Sequence, residues 1–273
     1  VDFTVHSGSE QGAFQTTARE LLGQWRKSLD LCLRKPSRKR VHALRRATLR
    51  LLSILDFALR ELPRNASLRR SFRRWKKQAC KLRRALRPLR DGDVFLRRLA
   101  ELRAKIAAEP VCDPPCLYAI KLLDCQLRHL RRQRKNIFLA EIKQSRPRLV
   151  RRCKQLEAAL LVRNKQSVST KTTPDLPECN ERIPVRDSLH AYRKRLRREL
   201  YCAEIATPPL VTALRNIVSA VGDWHDWQAL ATEAKHQLPQ TAAAALAPQL
   251  DAMAEGALAR ALGLCHCSDA PTS

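Results

Sequence analysis

The stretch NASLRRSFRRWKKQACKLRRALRPL, residues 65–89, decides the fold class. Leu68, Phe72, Trp75, Ala79, Leu82, Leu86 and Leu89 recur at alternating spacings of four and three, which winds one apolar seam along an α-helix flanked by Arg and Lys. Such a helix must bury its seam against other helices. The same period extends in both directions and predicts about ten helices, over 14–35, 38–62, 65–89, 92–109, 115–138, 139–164, 184–206, 208–221, 224–238 and 241–263. Leu, Ala and Arg dominate, only 7 of the 273 residues are Gly, and runs in which Val, Ile or Thr alternate with polar residues are hard to find. The expected fold class is all-α, built of helical bundles. A chain of this length makes one large domain or two of moderate size. The helices group into a first helical half over 14–109 and a second over 115–263. The run NKQSVSTKTTPDLPECNERIP, residues 164–184, is rich in Ser, Thr and Pro and has no apolar period, which predicts a mobile linker. The tail 268–273 is expected to be disordered.

Charge narrows the function. The formal net charge is +27, and it is segregated: Arg38 to Lys105 holds 23 Lys plus Arg against 5 Asp plus Glu, whereas Thr207 to the end holds 3 against 6. Solubility needs neither this density nor this separation, so the pattern points to a built cationic surface for an extended polyanion. No stretch approaches the roughly 18 uninterrupted apolar residues of a bilayer span. The first residues carry no charged segment followed by an apolar one. A soluble, cytoplasmic protein without membrane contact is expected, with a start at Val1 that leaves open what precedes it.

The ten Cys fall mostly within helical patterns (Cys32, Cys80, Cys125, Cys153, Cys202) and read as small buried thiols in a reducing compartment. Cys112-Asp-Pro-Pro-Cys116 and Cys265-His266-Cys267 lack the paired spacing of a structural zinc site, so neither metal nor cofactor is expected.

Placed on a helical wheel, 38–62 puts Val41, Leu44, Leu51, Leu55, Ala58, Leu59 and Leu62 on one side and His42, Arg45, Arg46 and Arg50 opposite, with Arg38, Lys39 and Arg60 extending the stripe. From Leu189 to Ile205 the device recurs: Leu189, Leu196, Leu200 and Ala203 against His190, Arg193, Lys194, Arg197, Arg198 and Tyr201. A basic face opposite an apolar one is usually a solvated surface. Two features weigh against that here. Like charges stacked at helical spacing repel by a few tenths of a kcal/mol per pair, and almost no Glu is interspersed to relieve them. His-x-x-Arg also opens both stripes, and each is followed by an acidic element, Arg90-Asp91-Gly92-Asp93 and Gly222-Asp223-Trp224-His225-Asp226-Trp227. Asp91, Asp93, Asp223 and Asp226 admit three readings. The preferred one makes them caps of helices starting near 92 and 224; the second has them hold motif arginines by ion pairs; the third is a divalent-metal site.

These residues carry a resemblance to a known family. VHALRRATLR with RDGDVFL, and LHAYRKRLRRELYCAE with VGDWHDWQAL, in this order and over nearly the whole chain, resemble the CHAD domain, the conserved histidine α-helical domain. The resemblance implies two four-helix bundles related by pseudo-twofold symmetry, with a basic central groove that binds inorganic polyphosphate. Polyphosphate granules and polyphosphate-metabolising enzymes, including CYTH-type triphosphatases, are its implied associates. The chain departs from the pattern at Leu49, Leu52 and Leu200, where basic residues are usual, so the second stripe looks fuller than the first. No CYTH-type domain accompanies it, so hydrolysis is not implied.

A phosphate chain offers charge and no base edges, so it needs guanidinium and ammonium donors in a row. His42, Arg45, Arg46, Arg50, His190, Arg193, Lys194, Arg197, Arg198 and Tyr201 are the expected polyphosphate-binding set. Arg38, Lys39, Arg73, Arg74, Lys77, Arg83, Arg84, Arg131, Arg134 and Lys135 form a secondary electropositive wall. The first alternative is non-specific nucleic-acid binding, which the scarcity of aromatics (5%) disfavours. The second is a metal-dependent phosphohydrolase built on His225 and Asp226, which only 7 His serve poorly. No phosphate-cradling Gly-rich loop and no nucleophilic triad is recognisable, so a non-enzymatic binding protein is expected.

Overall fold

A computed structural model describes residues 7–61, 67–108, 113–162, 189, 192–197, 200 and 208–267. All the regular structure among them is α-helical: α1 (Ser7–Arg34), α2 (Arg38–Glu61), α3 (Ser67–Ala107), α4 (Pro114–Val162), a segment α5 helical at 189, 192–197 and 200, α6 (Pro208–Gln237) and α7 (Gln240–Cys267). The linker 164–184 and the tail 268–273 lie outside the described residues.

Where the sequence predicts breaks near 90, 138 and 222, the helices run on, so three predicted pairs merge into α3, α4 and α6. The reason is burial on both sides of each predicted break. In α3, Leu86 and Leu89 belong to one core, and Phe95, Leu99, Leu102 and Ile106, on another side of the same helix, belong to a second, all of them buried. Pro88 interrupts one backbone hydrogen bond, but it sits on the exposed side, where water satisfies the freed carbonyl. Gly92 and Gly222 keep negative φ and do not terminate their helices.

The chain divides into two compact units, and not into the successive halves 14–109 and 115–263. One unit takes α1, α2, α3 to Arg90 and α4 from Arg134; the other takes α3 from Asp91, α4 to Gln133, and the described parts of α5, α6 and α7. Helices of 41 and 49 residues are long enough to serve two cores in turn, which short predicted helices are not.

The first unit is a four-helix bundle. Its core joins Leu22, Trp25 and Leu29 of α1, Val41, Leu44, Leu51 and Leu55 of α2, the predicted seam of α3 from Phe72 to Leu89, and Phe138, Ile142, Leu149 and Leu156 of α4. Trp25 and Trp75 meet edge to face with ring centroids 5.4 Å apart. The polar residue in this core, Thr48, is neutral and satisfied: it accepts from Trp25 Nε1 at 3.1 Å and donates to the Leu44 carbonyl at 2.7 Å. A three-residue link joins α1 to α2, and both helix ends are closed there. Ser37 Oγ accepts the Arg40 N–H at 3.5 Å, while Arg40 Nη1 donates to the carbonyls of Leu31 and Lys35 at 3.3 and 3.4 Å.

The second unit packs Phe95, Leu99, Leu102 and Ile106 of α3 with Ala119, Ile120, Leu123 and Leu127 of α4, Leu189 and Leu196 of α5, and the apolar faces of α6 and α7. α7 contributes Ala254, Ala257 and Ala261, small side chains that let it lie close to α6, to which Leu238 and Pro239 link it.

Cys32 and Cys153 are buried thiols, as expected, but Cys80 is half-buried and Cys125 is exposed on α4; Cys116 and Cys265 are buried as well. Burial pushes the Cys32 thiol up to about 11 and that of Cys153 up to about 12, so both stay protonated and unreactive near neutrality.

Candidate functional site

On α2 the stripe Val41, Leu44, Thr48, Leu51 and Leu55 turns inward, and the basic stripe opposite it begins exposed at Arg38, Lys39, His42 and Arg46. Arg45 and Arg50 are half-buried at its flanks and, like His42, already make contacts within the protein. Leu52, where a basic residue was expected from the family pattern, is buried in the first core, and Leu49 is half-buried. The stripe is therefore short, with its open part near the start of α2. Arg40 is excluded from it by its bonds to the end of α1.

The second motif helix behaves differently. Lys194 is exposed and Arg197 half-buried, but Arg193 is 5% exposed, on the core side of α5. Its Nη2 lies 3.9 Å from Asp226 Oδ1, and Arg97 Nη2 lies 3.9 Å from Asp226 Oδ2, so one carboxylate sits between two guanidinium groups. Arg193 is thus corrected from an outward contact to an interior one. Leu189, Arg193, Leu196 and Leu200 follow the 4-3-4 spacing of an apolar seam, and Arg193 occupies a seam position. Leu200, where Arg was expected, is buried as well. His190, Arg198 and Tyr201 lie outside the described residues.

The acidic elements are not caps. Asp91 and Asp93 lie inside α3, and Asp223 and Asp226 inside α6, far from any helix start. Ion pairing, as in the second reading, is found: Asp226 holds a motif arginine, Arg193, whereas Asp93 and Asp223 hold arginines outside the motifs. Asp93, buried at a seam position of α3, accepts from Arg131 Nε at 2.5 Å. Asp223 pairs with Arg98, which also donates to Glu101 Oε2 at 2.6 Å and lies 5.2 Å above the Trp227 ring. Burial works against the Arg98 cation, but the hydrogen bond to Glu101 and the charge of Asp223 outweigh it and hold its pKa above the ordinary value. A divalent cation beside Asp226 would meet Arg193 and Arg97 already in place, and among the described residues no three His, Cys, Asp or Glu side chains gather as ligands. The sequence reading missed Arg97 and Arg98. Arg98 at three residues from Phe95 and four from Leu102 was the available signal, the same seam logic as for Arg193.

Of the secondary wall, Arg73, Arg74, Lys77, Arg83 and Arg84 are all exposed on the face of α3 opposite its seam. Arg131 instead turns to Asp93, and Arg134 and Lys135 are half-buried on α4. All four Trp are buried, none more than 4% exposed, and Tyr118 is the exposed large aromatic among the described residues. No described helix is long and apolar enough to cross a membrane.

No protein-family model matches the chain, and no curated protein sequence matches it significantly. Among solved structures, PptA from Streptomyces chartreusis is similar in fold, with a TM-score of 0.65 at 16% sequence identity, over 93% of this chain and 98% of that one. At that identity the likeness is one of fold alone, and the all-helical architecture expected from the periodicity is the one found.

Proposed function

We propose that this protein binds inorganic polyphosphate without hydrolysing it, through cationic stripes on α2 and α5. The observation that carries the reading is the exposed run Arg38, Lys39, His42 and Arg46, opposite a wholly apolar-facing stripe and free of any carboxylate in the first turn of α2. Such a surface is costly to the isolated protein through self-repulsion and becomes favourable only with an anion against it. Lys194 and Arg197 are the corresponding contacts on α5, joined by His190, Arg198 and Tyr201 from the sequence pattern. Arg193 has a different task in this reading: paired with Asp226, it fixes α5 to α6 so that its outward neighbours are held in place.

Recognition of phosphate alone fits the side chains available. Bases are gripped by exposed aromatic faces, and here the Trp side chains are spent on the cores. Each charge-assisted contact to a phosphate oxygen contributes about 1.5–3 kcal/mol. Granules and polyphosphate-metabolising enzymes are destinations proposed from the motif resemblance.

The test is competition. Labelled long polyphosphate bound to the protein at near-physiological salt is challenged with single-stranded DNA, RNA and ATP at equal phosphate concentration. Polyphosphate should resist displacement; displacement by nucleic acid would favour the alternative reading instead. Incubation with Mg2+ or Mn2+ should release no orthophosphate, and release that disappears in Asp226→Asn would establish an enzyme.

A further inference from the structure

From Ser67 to Arg90 the chain carries eleven Lys or Arg and no Asp or Glu. Within that segment Arg70, Arg74, Lys77, Lys81 and Arg84 repeat the 4-3-4-3 spacing of the apolar seam on the opposite side of α3, so they form a second seam, of cations, over about 21 Å. All five are exposed, and no described carboxylate pairs with any of them.

Two Arg on other helices of the first unit do find acids: Arg26 bonds Glu157 at 3.1 Å and Arg146 bonds Asp30 at 3.0 Å. Lys76 of α3 is neutralised by Asp56 of α2. The α2 stripe and the cationic seam of α3 each lie opposite the apolar seam of their own helix, so each faces away from the shared core, and they are two positive surfaces. They also differ in form. The stripe of α2 becomes half-buried beyond Arg46, at Leu49, Arg50 and Ser53, whereas the seam of α3 stays open to solvent along its whole length.

We infer that the outer face of α3 is a second, separate track for inorganic polyphosphate, so that one protein molecule holds two polymer chains and bridges them. This rests on the function proposed above, since the α2 stripe is the first point of attachment. The five seam positions carry only ammonium and guanidinium groups and no aromatic ring on which a base could stack, which favours a bare phosphate polymer over a single-stranded nucleic acid. Two attachment points on one rigid bundle raise the effective concentration of the second chain and condense long polymer.

The experiment mixes two populations of long polyphosphate, labelled with donor and acceptor fluorophores, with the full chain, and reads energy transfer between them. Binding of one short labelled polyphosphate is measured in parallel. The variant is Arg70→Gln with Lys81→Gln, and an unchanged melting temperature establishes that it is folded, since both side chains are exposed. The expected result is a loss of bridging by about ten-fold or more while short-chain affinity falls by no more than about three-fold, the remainder of long-range attraction. Bridging equal to that of the unaltered protein would overturn the inference. So would a collapse of short-chain binding to the same degree, because the two surfaces would then be one site. Energy transfer between labelled DNA duplexes as strong as that between polyphosphate chains, at equal phosphate concentration, would overturn the choice of ligand. An unaltered protein that binds no polyphosphate at all sinks the function itself, a result distinct from each of these.

Discussion

The two units use the same His-x-x-Arg motif in opposite ways. In the first, the motif helix α2 turns its open cations to solvent and the interior is neutral, its polar residue a threonine bonded to Trp25 and Leu44. In the second, Arg193 of the motif turns inward and the interior carries charges: Arg193 and Arg97 about Asp226, and Arg131 on Asp93, with the partly exposed Asp223 closing on Arg98 at the margin. A neutral interior is held by packing, while a charged one is held only as long as every charge keeps its partner. The second unit should therefore be the more specific in its geometry and the more easily broken by a single substitution.

The largest effect is expected from Asp226→Ala. It leaves Arg193 buried without its carboxylate and should cost about 3–5 kcal/mol in urea unfolding. Replacing both partners, Arg193→Met with Asp226→Leu, should recover most of that loss; failure to recover would mean that the pair does more than cancel charge. In the first unit the equivalent polar substitution is Thr48→Val, which strands the buried Trp25 N–H and should cost about 1–3 kcal/mol. A cost as large as that of Asp226→Ala would erase the contrast between the units.

Alkali should act on the first unit, where Cys32 and Cys153 sit. Burial raises both thiols from the ordinary 9.0, so folding holds a proton that the unfolded chain releases sooner. Their contribution is fully present below about pH 9 and is lost as pH rises toward the folded values. The urea midpoint should fall between pH 8 and pH 10.5, and fall less in Cys153→Ala; equal slopes would place the alkaline loss elsewhere.

Smaller still is Gly92→Ala at the α3–α4 contact of the second unit. An added Cβ would meet Arg131 Cβ at 3.7 Å, an ordinary contact, so the gain in helix propensity should stabilise by about 0.5–1 kcal/mol. Destabilisation would show that the Asp93–Arg131 pair needs the space. Arg46→Ala on the open stripe of α2 should leave stability within about 0.5 kcal/mol. It should lower the slope of log binding constant for polyphosphate against log salt by about 0.7–0.9, one phosphate contact's worth; an unaltered slope would remove Arg46 from the binding face.

Periodicity alone determined that this chain is helical and which sides of α2 and α3 are apolar, because a 3-4 repeat of Leu, Trp and Ala has no other way to leave water. It also placed the segregated positive charge, since Arg and Lys without interspersed acids mark a cationic surface whatever the packing. Tertiary structure decided where helices end and what the charged residues do. Pro88, Gly92 and Gly222 are local stop signals that burial on either side of them overrode, because burying Phe95 and Leu99 outweighs one lost backbone bond. Arg193 and Asp226 are polar letters at apolar positions. Only the approach of α3, α5 and α6, which brings Arg97 and Arg193 each within 4 Å of the Asp226 carboxylate, turned Arg193 and Asp226 from an apparent contact and cap into an interior ion pair.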